Sequence, residues 1–276
     1  MTLPASRLSP SRPVGELLRD WRQRRRLSQL DLACEADIST RHLSFVETGR
    51  AQPSREMLLH LAERLAVPLR ERNALLVAAG FAPMFGERSL DDPALQAARQ
   101  ALELVLKGHE PYPALAVDRH WNLVSMNGAC GPFMQDIAPA LLQPPVNVLR
   151  LALHPQGLAP RIANLAEWRA HLIARLHQQI DASADAQLEA LMRELCDYPV
   201  PGGTAAPHTD YAGVVVPLKL HSPAGVLSFF TTITVFGTPV DITLSELALE
   251  AFFPADAATA AALRHLGDGQ TTAAGA

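Results

Sequence analysis

LSQLDLACEADISTRHLSFVE, residues 27–47, leaves the chain fewer choices of fold than any other stretch. Ser28 stands in an N-cap position, and Asp31 three residues later completes the capping-box pattern. Ser39 marks a second N-cap, and Gly49 follows the second apolar run where a helix stops. The spacing predicts a helix of about nine residues, a turn of about three, and a second helix of about nine. Leu32, Ala33, Ala36, Ile38, Leu43 and Val46 fall where the two helices must pack, and the small Ala33 permits a close crossing. The flanks carry similar signals. Val14–Arg25 has apolar positions at 14, 17, 18 and 21; Ser54 opens a helix over Arg55–Leu65; a fifth helix runs from Arg70 to Ala79 and stops at Gly80. An all-α, five-helix domain over 14–80 is expected.

The outward face of the second motif helix carries Thr40, Arg41, Ser44, Phe45 and Thr48, opposite Leu43 and Val46. In a helix-turn-helix this face lies in the DNA major groove while the first helix crosses the backbone. Charge agrees. Residues 1–72 hold 13 arginines against nine acidic residues, whereas the rest is acidic and the whole chain carries −4. The competing reading is a five-helix bundle that binds another protein through the same surface. Arg24–Arg26 is either a solvated run or lies beside phosphate.

LSQLDLA, IST and VETGRAQPS together resemble the helix-turn-helix of Cro/C1-type (XRE) repressors over about residues 14–72. The resemblance implies that Gln29 fixes the protein on a phosphate or base. It places Ser39, Thr40, Arg41, Ser44 and Phe45 at the DNA-facing positions and makes Arg50 and Arg55 backbone clamps. Arg22 and Glu47 match a structural pair tying helix one to the recognition helix. Asp37 departs from the pattern, which has glycine in the turn; aspartate tolerates the left-handed conformation better than most residues. Phe45 is the odd member of a polar face. An apolar side chain there suits a thymine methyl, with Arg41 reading guanine, or else it packs against its own helix.

Beyond 80 the texture changes. Residues 81–93 read as a linker, and a helix follows over Ala94–Lys107. ALAVDRHWNLVSMN (114–127) predicts two short strands around a turn near Asp118–His120, and Arg161–Ile180 a long amphipathic helix. A further helix is expected near Gln187–Cys196, then a Pro/Gly-rich loop at 199–207. YAGVVVPLKL and GVLSFFTTITVFG predict a hairpin joined at HSPA, with Pro217 suited to an edge strand or bulge. Helices over Leu244–Phe253 and Ala257–Leu266 would close the fold, with disordered ends at 1–13 and 267–276. The second domain, 94–266, is therefore expected to be α+β with a small antiparallel sheet.

No apolar run is long enough to span a membrane, and the N-terminus has no signal-peptide core. The three scattered cysteines fit no metal spacing, so no metal or cofactor and a reduced, cytoplasmic setting are expected. No hydrolase elbow, P-loop or dinucleotide fingerprint is present, which argues against an enzyme. Cys130 is either a redox sensor or a buried inert thiol.

NVLRLALHPQGLAPRIANLAEWRAHLIARL and GVLSFFTTITVFGTPVDITLSELALEAFFPAD resemble regulators with an MmyB-like ligand-binding domain. That resemblance implies a PAS-like fold enclosing a pocket for a small apolar molecule such as a fatty acid. In the residues themselves, Phe229 and Thr231 share one face of an apolar strand whose two faces both suit a cover. Either a ligand or plain burial explains them. Arg161, Asn164, Trp168, His171, Arg175 and Gln178 form a stripe at helical spacing. It could line a pocket mouth and hold a carboxylate, or be a solvated or dimer face. The expectation is a homodimeric transcription regulator that binds operator DNA and senses a small hydrophobic ligand. Two alternatives stay open: a C-terminal domain that only dimerises, and an enzyme or carrier with an accessory DNA-binding domain.

Overall fold

The computed structural model describes residues 12–199, 216–237, 239 and 241–273, which form two compact units. The first runs through Glu87 and includes Asp241 and Ile242; the second begins at Arg88. The expected tails at 1–11 and 274–276, most of the loop at 199–207 and the first residues of YAGVVVPLKL lie outside the described residues.

The first unit has helices α1 (Val14–Arg24), α2 (Gln29–Glu35), α3 (Thr40–Glu47), α4 (Arg55–Arg64) and α5 (Leu69–Ala78). The capping box at Ser28 and Asp31 is present in both directions, and Ser39 and Ser54 accept from the amides of His42 and Met57. Leu18, Leu32, Leu43, Val46, Leu58, Leu61, Leu65, Leu75 and Leu76 are buried and fill its core. Left-handed residues reverse the chain on either side of α3. Asp37 (φ 50°) follows α2, with the Asp37 and Ile38 amides donating to Cys34 O and Ala33 O. Gly49 (φ 72°) follows α3, with the Gly49 and Arg50 amides donating to Val46 O and Phe45 O. The expected linker is irregular but anchored. Asn73 bonds Met84 N, Phe85 N and Phe85 O, and Arg70 pairs with Glu87 at 2.6 Å.

The second unit is α+β. Strands β1 (Ala114–Val117), β2 (Leu123–Met126), β3 (Leu218–Ser222), β4 (Gly225–Val235) and β5 (Ala248–Pro254) form one antiparallel sheet in the order β2-β1-β5-β4-β3. Helix α6 (Gln96–Gly108) packs Leu102 and Leu106 on one face, against Ala114, Ala116 and Leu249. The other face carries Leu115, Val117, Leu220, Leu227 and Phe229. Against it lie α7 (Val148–Leu153), α8 (Leu165–Ser183), α9 (Ala186–Asp197) and α11 (Ala257–Ala273). Because both faces of β1 are covered, every one of its residues is buried and ALAV shows no polar alternation. Pro217 directly precedes edge strand β3, where its missing N–H costs least.

Three expectations need correction. LALEAFF is not a helix: a single turn, α10 (Ile242–Ser245), precedes strand β5, which occupies the centre of the sheet between β1 and β4. Tertiary pairing on both edges outweighs the helix preference of Leu, Ala and Glu. The helix expected from Arg161 starts at Leu165. Arg161 ends a 3-10 turn and Asn164 is the N-cap, so neither lies on the proposed stripe. The distal half of β4 is not covered on both faces, since Thr232, Ile233, Thr234 and Val235 are exposed. In addition, α11 continues to Ala273, into the segment expected to be a disordered tail.

Candidate nucleic-acid interface and apolar cavity

Helix α3 is held by a buried polar knot. Arg22 of α1 donates from Nε and Nη2 to Glu47 at 2.6 and 2.9 Å, and from Nη1 to Leu27 O at 2.8 Å. Gln29 Nε2 donates to Glu47 Oε2 at 2.8 Å. The Glu47 bond raises the Arg22 pKa further, so the guanidinium stays charged. Gln29 thus uses one N–H inside the protein, and its remaining N–H is what a phosphate could accept from. Gly15 completes the joint. A Cβ on it would stand 2.3 Å from Val46 O and 2.7 Å from Glu47 O, so α1 crosses the end of α3 with no side chain between. Gly15 is not among the residues expected to shape this interface; its single signal in the sequence is a glycine one residue inside an otherwise regular helix.

On the outward face, Arg41, Arg50 and Arg55 are exposed, and Thr40, Ser44 and Phe45 are half-buried. Thr48 Oγ1 is spent on Ser44 O at 2.7 Å. Ser39 accepts from His42 N at 3.1 Å, which leaves its hydroxyl proton for an outside acceptor. Phe45 is not isolated: Arg41 Cζ lies 5.3 Å and Arg50 Cζ 5.9 Å from its ring centroid. In the arginine run, Arg25 is half-buried and donates to Leu65 O and Ala66 O at the end of α4. The face therefore offers cations and small hydroxyls on a helix whose inner side is fixed.

The second unit holds a partly open apolar cavity of about 80 Å³ under the helix-covered face of the sheet. Leu115, Leu218, Leu220, Phe229 and Phe252 form its floor, and Cys130, Phe133, Met134 and Leu158 lie among the walls. Each lining side chain is apolar or a thiol. Cys130 is 4 % exposed, donates to Ala114 O at 3.3 Å, and is pushed up to about 11 by burial, so it is a protonated wall residue.

Of the residues expected at a ligand, Phe229 lines this cavity and Thr231 does not. Trp168 is a core residue with His171 tilted against it at 5.3 Å. Burial first, and then Arg175, lowers the His171 pKa and favours the neutral ring. Arg175 pairs with buried Glu250 of β5 at 2.6 Å and lies over the Trp121 ring at 4.3 Å. Asn164 binds Glu167, Pro217 O and Lys219 N. Arg161 Nη1 donates to Phe133 O and Gln135 O at 3.4 and 3.3 Å, beside the cavity wall. The wall at 130–134 is not among the expected ligand residues, because a 3-10 segment has no apolar period that marks it in the sequence.

Among the described residues no cluster of His, Cys, Asp and Glu could hold a metal ion, and no helix is long and apolar enough to cross a membrane. Comparison with known families gives two matches. Residues 13–75 match a helix-turn-helix domain, and residues 98–266 match the ligand-binding domain of MmyB-like transcription regulators. No curated protein matches the chain.

Proposed function

The chain belongs to the MmyB-like transcription regulators, and from that premise we propose a sequence-specific DNA-binding regulator whose effector is a small apolar molecule. The observation that carries the effector class is the apolar cavity at Phe229. Its volume gives room on the order of several water-sized groups, and its apolar lining suits hydrocarbon rather than water. A fatty-acid-like effector would put a short acyl segment there and its carboxylate toward Arg161. Arg175 is already neutralised by Glu250 and His171 is held neutral, so Arg161 is the better cation. The regulator works as a homodimer on paired half-sites about one helical turn apart, the arrangement this motif favours. It acts in the cytoplasm, with its DNA. Both matched families are regulator domains, which favours sensing over catalysis.

Two measurements test this reading. Selection from a randomised duplex library should yield a two-fold-related site; recovery of no preferred sequence would sink the DNA reading. Native mass spectrometry of the full chain, with gel shifts across straight-chain acids from butyrate to myristate and the matching alkanols, tests the effector. If none of these binds or alters DNA affinity, the C-terminal domain serves assembly alone.

A further inference from the structure

Two arginines share one aromatic platform on the DNA-facing side of α3. Arg41 reaches the Phe45 ring from one turn earlier, the i,i+4 neighbour position. Arg50 reaches it from beyond the helix end. The left-handed Gly49 reverses the chain there, and the Arg50 amide donates to Phe45 O at 2.8 Å, so its side chain starts beside the ring. Phe45 is half-buried on a helix whose inner face is fully buried at Leu43 and Val46. The ring therefore has a fixed place. Neither Arg41 nor Arg50 makes a salt bridge among the described residues, so both charges remain for DNA.

We propose that Phe45 is a positioning residue for sequence reading: its ring holds Arg41 for a guanine and Arg50 for a phosphate before DNA arrives. The inference rests on the DNA-binding function proposed above. A guanidinium over an aromatic face is attracted by the ring quadrupole. The rotamer freedom it would lose on DNA has then been given up on folding, which leaves more of the contact energy to appear as affinity. Arg41 can meet guanine O6 and N7 with two parallel N–H donors, a geometry that tolerates little misalignment. This role differs from contact with a thymine methyl. Leucine would also touch a methyl, but it has no face that holds a cation.

The test uses the full chain and the duplex it selects from a randomised library. Each guanine is replaced in turn by 7-deazaguanine, which lacks the N7 acceptor, and each thymine by deoxyuridine, which lacks the methyl. One guanine should be sensitive for the parent and insensitive for Arg41→Ala, a variant that removes the donor and leaves the ring untouched. Phe45→Leu should lose about two- to fivefold in affinity for each arginine released, along with most of that guanine's sensitivity. Its log-affinity against log-salt slope should flatten by up to about one unit as Arg50 leaves its phosphate. Phe45→Tyr should keep all three properties. Circular dichroism melts matching the parent confirm that each variant is folded. The proposal is overturned if folded Phe45→Leu retains the parent's guanine sensitivity and salt slope, whatever the deoxyuridine replacements do. Tyr failing as Leu does would also overturn it. A parent that selects no sequence removes the DNA reading itself, a distinguishable result.

Discussion

Asp37 adopts φ 50° in the turn between α2 and α3, where glycine would carry no steric cost. The left-handed conformation costs a typical L-residue roughly 1–2 kcal/mol. Replacing it with glycine also loosens the unfolded chain, at about 0.4–1 kcal/mol. The first effect is the larger. Asp37→Gly is therefore expected to raise the unfolding free energy of the N-terminal domain by about 0.5 kcal/mol. A urea titration checks this, and a midpoint that falls would mean the carboxylate stabilises the turn. This strain was legible in the sequence, because a single backbone position sets it. The partners of Gln29 and Arg175 were not. Both are tied to acidic residues far along the chain, Glu47 and Glu250, and no local pattern pairs them. Phe45 lies between these cases. Its outward direction follows from helical period, whereas its two guanidinium neighbours depend on the turn at Gly49.

Among the elements, the crossing of α1 over α3 depends on Gly15. Alanine there gains about 1 kcal/mol of helix propensity over glycine. Its Cβ would meet the Val46 carbonyl at 2.3 Å, and a backbone atom at the end of a packed helix cannot turn aside. Overpacking of this kind costs about 1–3 kcal/mol. Gly15→Ala should destabilise the N-terminal domain by up to roughly 2 kcal/mol net and weaken operator binding, because α3 carries the DNA-facing side chains. Denaturant unfolding and gel shifts read the two effects, and an unchanged midpoint would show that the helices can slide apart at no cost.

A second joint connects α7 to α9. Arg150 donates twice to Glu194 at 2.8 Å, and Tyr198 adds a bond at 2.6 Å. The Arg150 bonds hold the Glu194 pKa below the ordinary glutamate value, while burial and then the Glu194 bond push Tyr198 up to about 12. A depressed carboxylate contributes stability above its unfolded pKa and loses it as pH falls through the folded one. The joint is therefore intact at neutral pH and is lost as pH falls through the lowered Glu194 pKa. Both charged side chains are partly exposed, so the effect is modest. Glu194→Gln should melt earlier than the parent at neutral pH and change less on acidification below that point. Equal acid sensitivity in the two proteins would assign the acid limb to other carboxylates. Elements such as α2 and α3 were readable because caps and period coincide in one short stretch. β5 was not, because its residues favour a helix and become a strand only between β1 and β4.

At the scale of the whole molecule, regulation requires the effector to bind two states of the protein with different affinity. If a ligand changes operator affinity tenfold, operator DNA must change ligand affinity tenfold in the same direction, a coupling of about 1.4 kcal/mol. The reciprocal titration needs no knowledge of the route between the sites. The cavity offers a way to break the coupling without touching α3. Met134 is a half-buried wall residue, and tryptophan there would occupy much of the 80 Å³ that a ligand needs. Met134→Trp is expected to bind operator DNA with one fixed affinity, equal to that of either the free or the liganded parent, and to ignore added ligand. Calorimetry should then show ligand affinity reduced by at least tenfold. A variant that loses ligand binding yet still responds to ligand on DNA would place the sensing site elsewhere. If its fixed affinity equals the liganded value, filling the cavity is itself the signal, and the effector acts by packing rather than by any polar contact.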